Sequence, residues 1–291
     1  METILAAVAP IVLMTLIGFA MARLGKPIEG ETLRFLVVQI GSPALIFTAL
    51  LKTHIAGGAL LDYVGATAIS LACFGVIGFC VLRAAGLPLR TFLPSMMCAN
   101  TGNLGLPLAL YACGPVGLGY AAVIHSVSAV SNFTVGQSIA LGSANWKSLV
   151  TSPTLIAAIC GLVGVVLHVS LPQWLHNSLE LVSGLTIPLM LLMLGTSLAT
   201  IRVSSLGRAA ALAVLRIGMG MAVGFALARL FHFSGVPRAV FVLQCSMPVA
   251  VYNYLFALMG KTDPAGVASL VVVSTLMSVV TIPILLALLL H

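Results

Sequence analysis

The sequence predicts an all-α membrane protein: ten transmembrane helices in two inverted five-helix repeats, with spans 4 and 9 broken where they cross. Three observations predict it. The first is composition. Of 291 residues, 60% are hydrophobic and only 7% are charged, against roughly 25% charged in a soluble domain. Such a chain cannot cover a water-facing surface, which excludes soluble globular, disordered, collagen-like and nucleic-acid-binding classes. The second is length patterning. Apolar stretches of the ~20 residues needed to span hydrocarbon recur between charged or turn-forming breaks. The third is internal repetition, with landmarks in the same order in both halves.

The spans are placed at about 3–22, 31–51, 61–83, 89–112, 116–141, 151–171, 177–200, 209–230, 236–259 and 265–290. Met1-Glu2-Thr3 carries no basic leader, so the first stretch reads as a retained span and not a cleaved signal. Arg23 to Gly30 ends it, Lys52 to Gly58 ends the second, and Arg83 to Arg90 ends the third. Gly142 to Ser148 separates the halves, 1–148 and 149–291. Ser152-Pro153 opens the sixth span as a cap followed by Pro at the first helical position. Arg202 to Arg208 precedes the eighth, and Asp263-Pro264 opens the tenth as Ser152-Pro153 opens the sixth. Ten spans use roughly 200 residues, which leaves no soluble domain. The unbroken apolar runs lack the alternation of a barrel strand.

Orientation follows from Lys and Arg. With the N-terminus outside, the cytoplasmic loops hold Arg23, Lys26, Arg34, Arg83, Arg90, Lys147, Arg202, Arg208 and Lys261. The outer loops hold Lys52, Arg229 and Arg238. This imbalance predicts both termini outside, in a multi-pass protein of the cell (inner) membrane. It also accounts for the net charge of +7 without nucleic acid.

The repeat is read from paired landmarks. Pro10 and Pro153 are offset by 143, Pro43 and Pro188 by 145, and Arg90 and Arg238 by 148. Gly114-Pro115-Val116-Gly117 resembles Asp263-Pro264-Ala265-Gly266 at an offset of 149. An odd number of spans per half inverts the second copy, as in many secondary transporters.

The fourth span carries Asn100-Thr101-Gly102-Asn103-Leu104-Gly105-Leu106-Pro107. Proline removes a backbone donor, glycine weakens a helix and asparagine offers competing hydrogen bonds. The ninth span carries Gln244-Cys245-Ser246-Met247-Pro248-Val249-Ala250-Val251-Tyr252-Asn253 in the matching place. Paired interruptions of this kind point to a transporter site, because half-helix N-termini present N–H groups to anions. Candidate binding residues are Asn100, Thr101, Gly102, Asn103, Gly105, Pro107, Ser246, Pro248, Tyr252 and Asn253. A pair of proline kinks that only aid packing is the plainer alternative, and Pro43 and Pro188 fit that description better.

These motifs and the five-plus-five layout resemble the auxin efflux carrier family, over essentially the whole chain. That family includes plant PIN-type auxin exporters and bacterial carriers of malonate or malate. The resemblance carries over Asn100, Gly102, Gly105, Pro107 and Pro248. It implies a scaffold of 1–60 and 151–205, a mobile transport unit of 61–141 and 208–290, and a substrate site at the crossing. The short stretch 142–150 stands where plant relatives often have a long loop, which favours a bacterial-type carrier.

Further polar residues lie within spans. Arg216 either snorkels to the cytoplasmic interface or contacts an anion. His125 and Asn132, with Ser126, Ser128, Ser131 and Gln137, form a polar stripe that either packs helices or lines the site. No Asp or Glu lies at the centre of a span, which weakens proton or sodium coupling through a carboxylate. Cys73, Cys80, Cys98, Cys113, Cys160 and Cys245 form no CxxC pair, so neither a metal site nor a disulfide framework is expected. No nucleophile or metal motif of a membrane enzyme is present.

The expected function is secondary active or facilitative transport of small organic anions, mono- or dicarboxylates, by alternating access. An anion-selective channel or facilitator is the alternative. The expected partners are the anion and the lipid bilayer; a homodimer is compatible, and no cofactor, metal or nucleic acid is expected.

Overall fold

A computed structural model describes residues 2–25, 29–52, 57–142, 151–167, 169, 171–201 and 205–289. Lys26, Lys147, Arg202, His291 and the stretch 143–150 lie outside the described residues. The chain is all-α and multi-pass. Its helices are α1 (Glu2–Arg23), α2 (Gly30–Phe35), α3 (Ser42–Leu51), α4 (Gly57–Ala84), α5 (Leu89–Met97), α6 (Leu106–Ser131) and α7 (Gln137–Leu141). In the second half they are α8 (Pro153–Val166), α9 (Gln173–Thr200), α10 (Leu206–Leu230), α11 (Gly235–Cys245), α12 (Tyr252–Met259) and α13 (Pro264–Leu289).

Among the described residues, seven helical runs are long and apolar enough to cross a membrane, and Pro153–Val165 and Gly235–Cys245 are shorter apolar helices. One run, Thr101–Leu141, is 41 residues long. It bends at Gly114 (φ 67°, ψ −166°), where only glycine is unstrained, and Pro115 restarts the helix. Large apolar side chains such as Leu61, Leu181, Val280 and Leu288 stand exposed, as a lipid-facing surface requires.

Local chemistry explains several boundaries. Ser152 Oγ accepts the Leu155 N–H at 3.5 Å, and Asp263 Oδ1 accepts the Gly266 N–H at 2.8 Å, so both expected caps are formed. Three π-helical stretches, Leu36–Gly41, Thr101–Gly105 and Asn132–Gly136, widen helices of the first half. The sequence reading did not anticipate them.

Two packing groups emerge. In one, α1 lies along α9 and α3 along α8, with α3 also on α9. Gly195 lets α1 and α9 close in: a Cβ there would run into the Thr15 carbonyl. Small residues at such contacts suit helices in lipid, where close backbone approach replaces the hydrophobic drive. Lys52 and Glu180 pair across α3 and α9, with His176 Nε2 3.3 Å from Glu180. In the other group, α4 packs on α5, α10 on α11 and α13, and α12 on α13 and α7. The groups meet where α6 touches α1, α3 and α8.

Candidate functional site

The first interruption is made by α5 ending at Met97, a short extended stretch, and a wide helical turn from Thr101 to Gly105. The Gly105 N–H donates to the Asn100 carbonyl at 3.0 Å to close that turn. The break therefore begins at Cys98, two residues earlier than the motif suggests. Pro107 follows the wide turn directly, two residues into α6, and the helical run that begins at Thr101 continues through it. The second interruption runs from Ser246 to Val251, between α11 and α12.

The two interruptions meet. Ala99 and Val249 form an antiparallel bridge. The Asn100 N–H donates to the Pro248 carbonyl at 2.7 Å, and the Ala250 N–H donates to the Cys98 carbonyl at 3.1 Å. Backbone groups freed by breaking two helices are thus satisfied by each other, as burial demands. The Val249 N–H is taken by Ser274 Oγ of α13 at 3.2 Å.

Side chains then close around the crossing. Thr101 Oγ1 and His125 Nδ1 are 2.9 Å apart, and a Cβ on Gly102 would sit 2.8 Å from His125 Cε1. A Cβ on Gly105 would overlap the Gln244 amide. Asn132 Nδ2 donates to the Tyr252 hydroxyl, whose ring stacks on Phe133 at 5.9 Å. Asn253 Nδ2 donates to the carbonyls of Cys98 and Ala250 at 3.1 and 3.0 Å. Ser246 Oγ returns to the Val242 carbonyl of its own helix at 2.7 Å, so it caps α11. Asn103 is half-buried, while Asn100, Thr101, Gly102, Gly105 and Pro107 are buried.

Arg216 does not snorkel. It is fully buried; its Nη1 donates to the Cys245 carbonyl at 3.0 Å and its Cζ lies 4.7 Å from the Phe74 ring centroid. The structure brings His125, Asn132 and Arg216 close to one or other of the two breaks.

Several buried polar atoms here have no hydrogen-bond partner among the described residues: Asn100 Nδ2, Asn132 Oδ1, Asn253 Oδ1, Gln244 Oε1 and Nε2, and Arg216 Nε and Nη2. Buried groups left unpaired in a native fold call for an explanation. Four of these atoms are donors, Asn100 Nδ2, Gln244 Nε2 and Arg216 Nε and Nη2, and they add to the N–H groups at the two restarted helix ends; the other three are acceptor oxygens. Among the described residues no cluster of His, Cys, Asp or Glu could hold a metal ion, and all six cysteines are free thiols. Gln244 and Ser274 were not singled out from sequence. A lone glutamine in an apolar helix was a usable signal for the first; only the fold brings Ser274 in.

Beside the crossing, an apolar cavity of about 360 Å³ lies between α1, α9, α6 and α13, reaching Leu104 and Leu108.

Broken, buried, polar-lined helices in an apolar multi-pass chain define a membrane transport protein. Residues 138–286 match the family described as Membrane transport protein. The chain belongs to this family, that of the auxin efflux carriers, and is accordingly a transporter and not an enzyme. It is 23% identical over 291 residues to an uncharacterized transporter of Methanocaldococcus jannaschii, covering 94% of each chain. It is 28% identical over 303 residues to an uncharacterized transporter of Methanothermobacter thermautotrophicus, covering 97% of this chain and 96% of that one.

Proposed function

We propose that this transporter carries small organic anions, mono- or dicarboxylates, by alternating access, with the anion held at the crossing of the two broken helices. One observation carries the reading: the paired break leaves the buried Asn100 amide unpartnered beside two helix N-termini, with a buried arginine and, among the described residues, no buried carboxylate. Helix N-termini and amide donors stabilise negative charge.

The architecture we propose is ten spans in two inverted repeats, 1–148 and 149–291, with both termini outside the inner membrane. Swapped packing supports it: α1 of the first half lies on α9, and α8 of the second lies on α3. The hydrogen bond from Asn100 to Pro248 joins residues at the repeat offset of 148. The scaffold would be 1–60 and 151–205, and the moving unit 61–141 and 208–290. The apolar cavity on their boundary supports this division.

The test is counterflow in liposomes loaded with single unlabelled mono- or dicarboxylates and given the same compound labelled outside. A carrier accumulates label transiently above equilibrium for at least one compound. Label that only equilibrates, without saturation, would replace the carrier with an anion channel.

A further inference from the structure

Breaking two helices in the middle leaves two buried C-terminal ends as well as two N-terminal ones. Each C-terminal end carries unpaired carbonyls and about half a negative charge. Inside a membrane that charge needs a counterpart. Here the two ends are served differently. The carbonyl of Cys98, after α5, accepts the Ala250 N–H and the Asn253 amide, both neutral donors. The carbonyl of Cys245, at the end of α11, accepts the Arg216 guanidinium at 3.0 Å.

Arg216 reaches that carbonyl from α10 and is fully buried. It forms no ion pair among the described residues. Its attractive contacts are a carbonyl dipole and the Phe74 ring face. A buried guanidinium without a carboxylate is costly to keep, so its contact with the helix end is the compensation. In transporters with broken helices, half-helix C-termini and unwound carbonyls are where a coupling sodium ion or proton is held.

We propose that Arg216 is a covalently tethered substitute for that cation. It stands at the α11 C-terminus, where a mobile ion would otherwise bind, and leaves the crossing permanently positive for its anion. The carrier then needs no bound metal cation at this end. This deepens the anion-carrier reading and rests on it.

The experiment uses purified full-length protein in detergent, with melting measured in sodium, potassium or choline chloride at fixed ionic strength. Wild type should melt at the same temperature in all three. Arg216→Ala should melt several degrees lower in choline, and sodium or methylguanidinium should restore it saturably. An Arg216→Ala protein indifferent to every cation would overturn the proposal. So would saturable stabilisation of wild type by sodium. If Arg216→Ala yields no folded protein, Arg216→Lys takes its place: melting near wild type and insensitive to sodium supports the proposal, and sodium-dependent melting sinks it. No substrate enters these readings, so their failure leaves the anion site standing, and failure of the anion site leaves them interpretable.

Discussion

Asn100 carries two hydrogen-bonding groups that separate cleanly by mutation. Its backbone N–H holds the Pro248 carbonyl, and its side-chain amide is buried and unpartnered. Asn100→Ala removes only the second. Loss of a hydrogen bond to a charged group costs about 1.5–3 kcal/mol, or roughly ten- to a hundredfold in affinity. Binding of the carboxylate identified by counterflow should weaken by that factor in a folded, monodisperse variant. Pro43→Ala, in the first turn of α3, should bind as wild type does. Equal affinities for Asn100→Ala and wild type would return the break to a packing role. At this scale the sequence was informative where polarity interrupts an apolar run, as at Asn100, Tyr252 and Asn253. It was silent on partners: nothing in the order of residues says that Asn253 reaches the Cys98 carbonyl, or that Arg216 turns inward.

Helix contacts inside lipid depend on how closely backbones approach, and α9 offers a matched pair of tests. A Cβ at Gly195 would strike the Thr15 carbonyl of α1, whereas Gly184 on the same helix has open space. Gly195→Ala should lower the melting temperature, with overpacking costing about 1–3 kcal/mol. Gly184→Ala should leave it unchanged or slightly raise it, since alanine favours the helix. Thermal denaturation of both variants decides, and equal melting would mean that α1 and α9 are not held by this contact. The breaks themselves were legible to within two residues, because Asn, Gly and Pro act locally. The π-helical stretches were not, because a one-residue widening is set by what packs alongside. The polar stripe at Asn132 shows this: it lies in such a stretch and meets Tyr252, 120 residues away.

For the whole molecule, charge distribution predicts orientation. Tags at Lys147 and His291, probed in intact cells, should report position 147 in the cytoplasm and position 291 outside. A periplasmic 147 would reverse the orientation. Both positions on one side would remove the odd number of spans between them. Composition alone settled the class, since 7% charge leaves no soluble alternative. The proposed pairing of halves rests in the sequence on drifting offsets alone; which helices pack together, α1 with α9 and α3 with α8, is not legible there.

The backbone bonds between Cys98 and Ala250 and between Asn100 and Pro248 also constrain kinematics. They act as a rivet: sliding one broken helix against the other would shear them and leave amides bare in hydrocarbon. On the alternating-access reading proposed above, the substrate would be carried only by moving the riveted piece entire. The bearing on which it moves would be the oily seam lined by Val12, Leu104, Leu108, Leu194 and Val279. Such side chains have no directional bonds to break, so the resistance to travel would be set by shape and not by chemistry.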